Sequence, residues 1–320
     1  MKRARPGLLP LVPLYGAGLW VKGLLGVKAR RLRGRVVSVG SLSAGGAGKT
    51  PVVMLVVEML QAAGLGVDVL SRGYGRRGTG VERVDVAGSA ERFGDEPLLM
   101  ARRLGVPVWV GADRFAGGSA AEVGVETEGL VHVLDDGFQH RKLARDVDVV
   151  LLTRKDVGDG LLPAGDLREG LGALGRADVV VLREEEVAGL RGFVPAGKVV
   201  WVVRRELRFE GLVPARPFAF CGIARPDGFL GMLAGAGVVS AGVERLADHH
   251  RYGMRDVTRL IAAARAAGAD GFCTTEKDAV KLTPAMRKRL EEVGPVSVAE
   301  LRVSLVEGGV GDLVREKMGV

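Results

Sequence analysis

Val36–Leu60 reads VVSVGSLSAGGAGKTPVVMLVVEML, and it sets the organisation of the chain around it. Val36–Val39 is a β-branched apolar run of strand length, Gly40–Gly48 is a loop of small residues, and Lys49-Thr50 opens a long apolar helix. Strand, glycine-rich loop and helix in that order form a phosphate cradle. Successive backbone N–H groups wrap an anion, the helix N-terminus adds its positive end, and the lysine reaches the outer phosphates. Ser43-Ala44-Gly45-Gly46-Ala47-Gly48-Lys49-Thr50 is therefore the expected nucleotide-binding loop, with the Thr50 hydroxyl placed for Mg²⁺. Ser43 stands where such P-loops usually carry their first glycine. Pro51 fits the first helical turn, where no intrahelical N–H bond is required.

The 320 residues are enough for one large or two medium domains, and the net charge of +8 favours an anionic partner. Cys221 and Cys273 are the only cysteines and neither has metal-ligand spacing, so a disulfide framework or a zinc centre is not expected. The positive charge alone would also suit a nucleic-acid binder. The chain lacks the aromatic stacking platforms and basic helix stripes of one, so nucleic acid is not an expected partner. No obligate protein partner is evident.

Upstream of the loop, Lys2, Arg3 and Arg5 precede the apolar stretch Leu8–Val27, and Lys28–Arg35 adds five more cations. That stretch is just long enough to span a bilayer, but Pro10, Pro13 and Lys22 interrupt it. Tyr15, Trp20 and the basic flanks suit a water–lipid boundary. Three placements follow: a helix lying on an anionic membrane surface, a spanning helix, or a helix packed on its own domain.

Downstream, short apolar strands alternate with helical stretches, the pattern of a mostly parallel α/β sheet with helices on both faces. In such sheets ligands sit at the carboxyl ends of the strands. Val67–Leu70 ends in Ser71-Arg-Gly-Tyr-Gly-Arg-Arg77, a cationic loop suited to a phosphate or polar head group. Asp95 fits an N-cap or first-turn position before Leu98–Met100. A strand at Val106–Val110 is followed by Asp113 and a helix through Ala121. Leu130–Leu134 ends in Asp135-Asp136, and carboxylates at the tip of a hydrophobic strand downstream of a P-loop form the Walker-B arrangement for Mg²⁺. His140, close behind, suits either a phosphate contact or a structural role. Further strands follow at Asp146–Leu152 and Val179–Leu182, with Arg168 and Glu169 near a helix start between them.

Lys198–Phe209 reads as a connecting strand, and Phe218–Ile223 begins a second α/β unit. Its elements are a helix around Gly228–Leu233, a strand around Gly237–Ala241, the loop Leu246–Tyr252 with Asp248-His249-His250, a helix at Val257–Ala266 and a strand at Gly271–Thr275. Thr275 to Asp278 matches a capping box. The expected division is an N-terminal membrane-associating helix and basic flank at 1–35, a P-loop domain at 36–205 completed by 306–320, and a smaller α/β substrate or lid domain with linker strands at 206–305.

SLSAGGAGKTP, SRGYGRR, GDEPLLMARR, LDDGFQHRKL, LLPAGDLRE, CGIARPDGF, DHHRY and TTEKDAVKL, in this order over roughly residues 10 to 305, resemble the motifs of the tetraacyldisaccharide 4′-kinase family. That resemblance implies two α/β domains joined by a two-stranded linker, ATP and Mg²⁺, and a lipid A disaccharide precursor as acceptor. It also implies a peripheral place on the cytoplasmic face of the bacterial inner membrane. By matching motif, Lys49 and Thr50 are the P-loop pair, and Asp136 with Asp135 and Glu169 is the metal set. Asp95 and His249 would act together on the acceptor hydroxyl, and Arg72, Tyr74, Arg76 and Arg77 would line the acceptor and phosphates. Asp166 and Gly170 stand where the family often has proline. A P-loop GTPase or metallochaperone-like switch is the alternative, because Thr275-Glu276-Lys277-Asp278 loosely fits a guanine-reading segment.

Overall fold

In the computed structural model, residues 5–24, 26, 28–309 and 311 are described. Lys2, Arg3, Val27 and most of the expected return segment 306–320 lie outside them.

The strands β1 (Arg35–Ser41), β2 (Gly66–Ser71), β3 (Glu82–Arg83), β4 (Val108–Val110), β5 (Leu130–Asp135), β6 (Val147–Leu151) and β7 (Val179–Arg183) belong to a first half. The 12-residue strand β8 (Val199–Glu210) leads out of it. Strands β9 (Phe218–Cys221), β10 (Gly242–Arg245) and β11 (Phe272–Thr275) form a second half, and β12 (Val296–Glu307) leads back. All pair into one sheet of order β10-β9-β11-β12-β8-β7-β6-β1-β5-β2-β4-β3. Every pairing is parallel except β12 with β8 and β3 with β4.

The inner strands are buried along nearly their whole length, because helices cover both faces. Alternate residues of one strand serve opposite cores. Val149, Val179 and Val181 pack in one cluster, and Val150, Val180 and Leu182 in another. The second half repeats this device, with Phe218, Phe220 and Phe272 on one face and Ala219, Cys221 and Cys273 on the other. Lys49–Ala62 forms the expected helix and buries seven apolar residues against the first sheet.

The register of the β8/β12 ribbon creates a cleft. Val199–Val203 of β8 run parallel to β7, whereas its far end, Phe209–Glu210, pairs with Ala299 and Val298 of β12. Those same β12 residues pair parallel with β11. The second half therefore sits beyond the carboxyl end of the first, displaced along the ribbon by roughly 20–30 Å at 3.3 Å per residue. Its strands also run the opposite way. The carboxyl edges of the two halves consequently face one another.

The strand expected around Gly237–Ala241 is not there. Gly237, at φ 78°, turns the chain out of the helix Pro226–Gly235, and pairing begins only at Gly242 opposite Phe218. The apolar pair Val238-Val239 imitates a strand in sequence, yet Val239 is exposed.

The N-terminal helix proper is Val12–Leu24, 13 residues following a 3₁₀ turn at Pro6–Leu11. At 1.5 Å per residue that is about 20 Å, short of a hydrocarbon core of about 30 Å. No helix among the described residues is long and apolar enough to cross a membrane. The helix rests on the first half through the Tyr15 hydroxyl, which donates to the Arg168 carbonyl at 3.0 Å. Leu9, Leu11, Leu14 and Val21 remain exposed, Leu14 by 73%.

Candidate active site

The phosphate loop is built by backbone conformation. Gly45, Gly46 and Gly48 have φ of 75°, 66° and 87°, a region that side-chain-bearing residues rarely enter. The loop is braced from outside: Ala44 N–H donates to the Asp166 carbonyl at 2.8 Å, and Arg183 donates to the Ala47 carbonyl at 2.7 Å. Across the cleft, Arg225 lies over Gly46. At the loop's start a Cβ on Gly40 would fall 2.5 Å from Cβ of Phe138, so glycine is needed for the Asp135–Phe138 turn to cross β1. Ser43 Oγ is buried without a hydrogen-bond partner. Open amide-lined backbone, an unpartnered hydroxyl and a lysine at the helix start together fit a bound phosphate chain.

Lys49 Nζ lies 3.3 Å from Asp136 Oδ1 and 3.4 Å from Ser41 Oγ. Asp136 also accepts from Arg168 at 2.8 Å. Burial opposes ionisation of Asp136, but the Lys49 and Arg168 charges prevail and hold its carboxyl below the ordinary carboxylate range. Its neighbour differs. Asp135 accepts from Ser71 Oγ at 2.8 Å, and burial with the nearby Glu96 and Asp136 charges pushes it up to about 7. The pair thus combines one firmly ionised carboxylate with one that titrates near neutrality. The fourth expected metal residue, Glu169, is turned elsewhere, with both oxygens on Arg176 at 3.0 and 2.9 Å. Among the described residues no three His, Cys, Asp or Glu side chains form a metal cage. Thr50, Asp135 and Asp136 nevertheless suit Mg²⁺, which ordinarily takes one or two carboxylates and completes its shell with phosphate and water.

The second constellation spans the cleft. Asp95 is the first residue of the helix Asp95–Leu104, and Gly94 occupies the cap position, so Asp95 is not an N-cap. Its carboxylate, 6% exposed, accepts from Nδ1 of His249 at 3.1 and 2.9 Å. Burial raises the proton affinity of Asp95, and the His249 hydrogen bond with the Lys277 charge lowers it further than burial lifts it. The Asp95 bond raises that of His249 despite burial. Among the described residues, Asp136 (φ 51°) and His249 (φ 57°) are the two non-glycine residues in the left-handed region. Both stand in this cleft.

Of the cationic loop, Tyr74 approaches His249, with ring centroids 5.3 Å apart, and Arg72 is exposed. Arg76 is instead buried on Glu82 at 3.1 Å, and Arg77 pairs with Glu91 at 2.8 Å, so these two brace the loop. Burial and the neighbouring Arg114 charge push the His140 imidazole down to about 4.

The family model for LpxK, tetraacyldisaccharide-1-P 4′-kinase, matches residues 4–318. The chain belongs to the tetraacyldisaccharide 4′-kinase family. The tetraacyldisaccharide 4′-kinase of Koribacter versatilis is 39% identical over 309 residues, covering 92% of this chain and 94% of that protein. That of Geobacter metallireducens is 40% identical over 312 residues, with 92% and 88% covered. The crystal structure of LpxK from Aquifex aeolicus in complex with ATP superposes with a TM-score of 0.76 at 32% identity, covering 98% of each chain.

Arg114 is a residue of this kinase-family cleft that sequence reasoning missed. Arg114 is buried, its Nε has no partner, and burial together with the Arg72 charge lowers its proton affinity while Asp135 and Asp136 oppose that. It was hidden as an ordinary first-turn residue after the Asp113 cap. A cation directly after a strand on the carboxyl edge was the available signal. The guanine-reading alternative loses its residues. Asp278 is fully buried and accepts from Gly222 N–H, Tyr252 Oη and Thr275 Oγ1, while Lys277 is held by Glu96. The capping box is present only in its Thr275 half, since Thr275 Oγ1 accepts from Asp278 N–H and the Asp278 carboxylate turns inward.

Proposed function

We propose that this chain is an ATP-dependent kinase that phosphorylates the 4′-hydroxyl of a tetraacyl disaccharide 1-phosphate lipid A precursor at a membrane surface. The observation that carries this is the pairing, on facing sheet edges, of a Lys49–Thr50 phosphate loop with the Asp95–His249 pair built from both halves. Gly45–Thr50 would take the triphosphate of ATP. Thr50 and Asp136, with Asp135 beside them, would hold Mg²⁺, which when bound spreads the charge of the phosphates. Arg72, Tyr74 and Arg114 would meet the acceptor and its phosphates.

The transferred phosphoryl passes through a loose transition state, so catalysis is chiefly positioning and electrostatic stabilisation. Proton removal from the sugar hydroxyl is correspondingly late, and a carboxylate can serve as the acceptor, the better the less its charge is tied up. Asp95 is the proposed proton acceptor. Both His249 nitrogens already have partners, Asp95 on one side and Lys277 Nζ at 3.3 Å on the other. His249 therefore orients Asp95 and does not reach for the hydroxyl itself. Because Asp95 and His249 come from opposite halves, closing the cleft assembles the base. The test is turnover of ATP with a tetraacyl disaccharide 1-phosphate acceptor. Phosphate should appear on the 4′-oxygen with ATP far ahead of GTP. GTP hydrolysis without acceptor dependence would favour the switch-protein alternative.

The helix Val12–Leu24 and the preceding turn are proposed to lie on the cytoplasmic face of the inner membrane. Their outward leucines support this, and so do Arg30, Arg31, Arg33 and Arg35, which are exposed nearby. Burying a leucine contributes about 1.5–3 kcal/mol. Replacing Leu9, Leu11 and Leu14 together by glutamate should lower partitioning to anionic vesicles by at least about 10²-fold. Hydrolysis or transfer with a short, water-soluble acceptor should be retained. Unchanged pelleting with vesicles would remove the docking role.

A further inference from the structure

We infer that Lys277 is a positioning residue of this site: its ammonium, held by Glu96, donates to Nε2 of His249 and opposes a proton there, so that the ring proton sits on Nδ1 facing Asp95. The inference rests on the proposed role of Asp95 and His249.

Three elements meet at the cluster. The helix Asp95–Leu104 brings Asp95 and Glu96, the loop after β10 brings Asp248 and His249, and the turn after β11 brings Lys277. Lys277 Nζ lies 3.0 Å from Glu96 Oε1, 3.3 Å from His249 Nε2, 3.6 Å from Asp248 Oδ1 and 3.9 Å from Asp95 Oδ2. Tyr74 closes one side of the imidazole by its ring. Lys281 adds a more distant positive charge toward Asp95, and Arg251 reaches across the loop to the Gly75 carbonyl at 3.0 Å. The Lys277 backbone is itself fixed, because the adjoining Asp278 is buried and bonded on all sides.

The partners determine the tautomer. A carboxylate only accepts, so Nδ1 facing Asp95 carries hydrogen. An ammonium only donates, so Nε2 facing Lys277 is a bare lone pair. A second proton on His249 would point at that ammonium, 3.3 Å away, with the Asp248 carboxylate the more distant neighbour of Nε2 at 3.9 Å. Without Lys277, the carboxylates of Asp95 and Asp248 would flank the two ring nitrogens and draw the ring toward imidazolium. A full imidazolium–carboxylate pair would then tie up Asp95 as a weaker proton acceptor. Asp95, with Asp248 as a smaller cause, pulls the proton affinity of His249 up; burial and then Lys277 limit the rise without reversing it. The Thr275–Asp278 segment, unclaimed by nucleotide recognition, thereby acquires a role on the acceptor side.

The test is an NMR titration of His249 in the full-length chain, compared for wild type, Lys277→Met and Lys277→Arg, alongside pH profiles of kcat/KM. With Lys277→Met the His249 midpoint should rise by about 0.5–1 pH unit. The acid limb of kcat/KM should move upward with it, turnover at neutral pH should fall about tenfold, and the KM for ATP should hold. Lys277→Arg should return both midpoints toward wild type. If Lys277→Met fails to fold, Lys277→Gln, which keeps a donor but not the charge, should show the same upward shift. A His249 midpoint that stays or falls in a folded variant overturns the inference, as does lost turnover with an unmoved acid limb. The titration needs no turnover. If Asp95 variants keep full activity, the proposed function of the pair fails, whatever the titration gives.

Discussion

Lys49→Met should lose turnover by about 10³-fold or more while remaining folded. Lys49 is the first residue of its helix and sits at the mouth of the glycine loop, where its ammonium would meet the outer phosphates. Removing one preorganised donor or charge that stabilises a transition state costs roughly 10²- to 10⁵-fold, from oxyanion-hole donors to arginine fingers. The fold should tolerate the change. Asp136 loses Lys49 as a partner but keeps Arg168 at 2.8 Å, so no buried carboxylate is left unpaired. Lys49→Arg should not rescue, because a planar fork does not replace a compact point charge in a loop closed around its ligand. Steady-state kinetics with melting temperatures check both statements. Wild-type turnover in a folded Lys49→Met would mean that the loop does not hold the transferred phosphate.

Asp95→Ala should lower kcat by at least about 10²-fold with the KM for ATP little changed. The nucleotide loop and Asp95 lie on different elements, and no hydrogen bond joins Asp95 to that loop among the described residues. The loss should therefore fall on the chemical step. Asp95→Asn separates charge from shape, since its amide oxygen can still receive the His249 N–H. Comparable losses in both variants would identify the carboxylate as the acting group. A near-wild-type kcat in both would return Asp95 to the role of a first-turn residue favoured by the helix dipole. The pH sign also follows. The folded-state proton affinity of Asp95 is depressed, so its ionised form and the stability from its pairing persist at neutral pH and are lost as pH falls through the depressed value.

What could be read locally was read well. The glycine loop, the β-branched strands and the helix following Asp113 each follow from residues within a few positions of one another. What depends on register could not be read that way. Residues 95 and 249 are 154 positions apart and meet only because the β8/β12 ribbon turns one sheet edge toward the other. Family resemblance named that pair, and spacing alone left Asp95 as a helix-start residue. Arg76 and Glu169 show the opposite failing. Their motifs are in place, yet each side chain is spent on a neighbour, Glu82 and Arg176 respectively. Burial of Arg114 was beyond any local pattern, because the groups that surround it come from other strands.

The left-handed backbone at Asp136 and His249 sets stability against activity. A side-chain-bearing residue held there costs about 1 kcal/mol relative to glycine. Domains of this size have a net stability of only 5–15 kcal/mol, so relief at two positions is a noticeable gain. Glycine at 136 or 249 would supply that relief, but it would delete the proposed metal carboxylate with its Lys49 and Arg168 pairs, or leave the buried carboxylate of the proposed base Asp95 without its His249 donor.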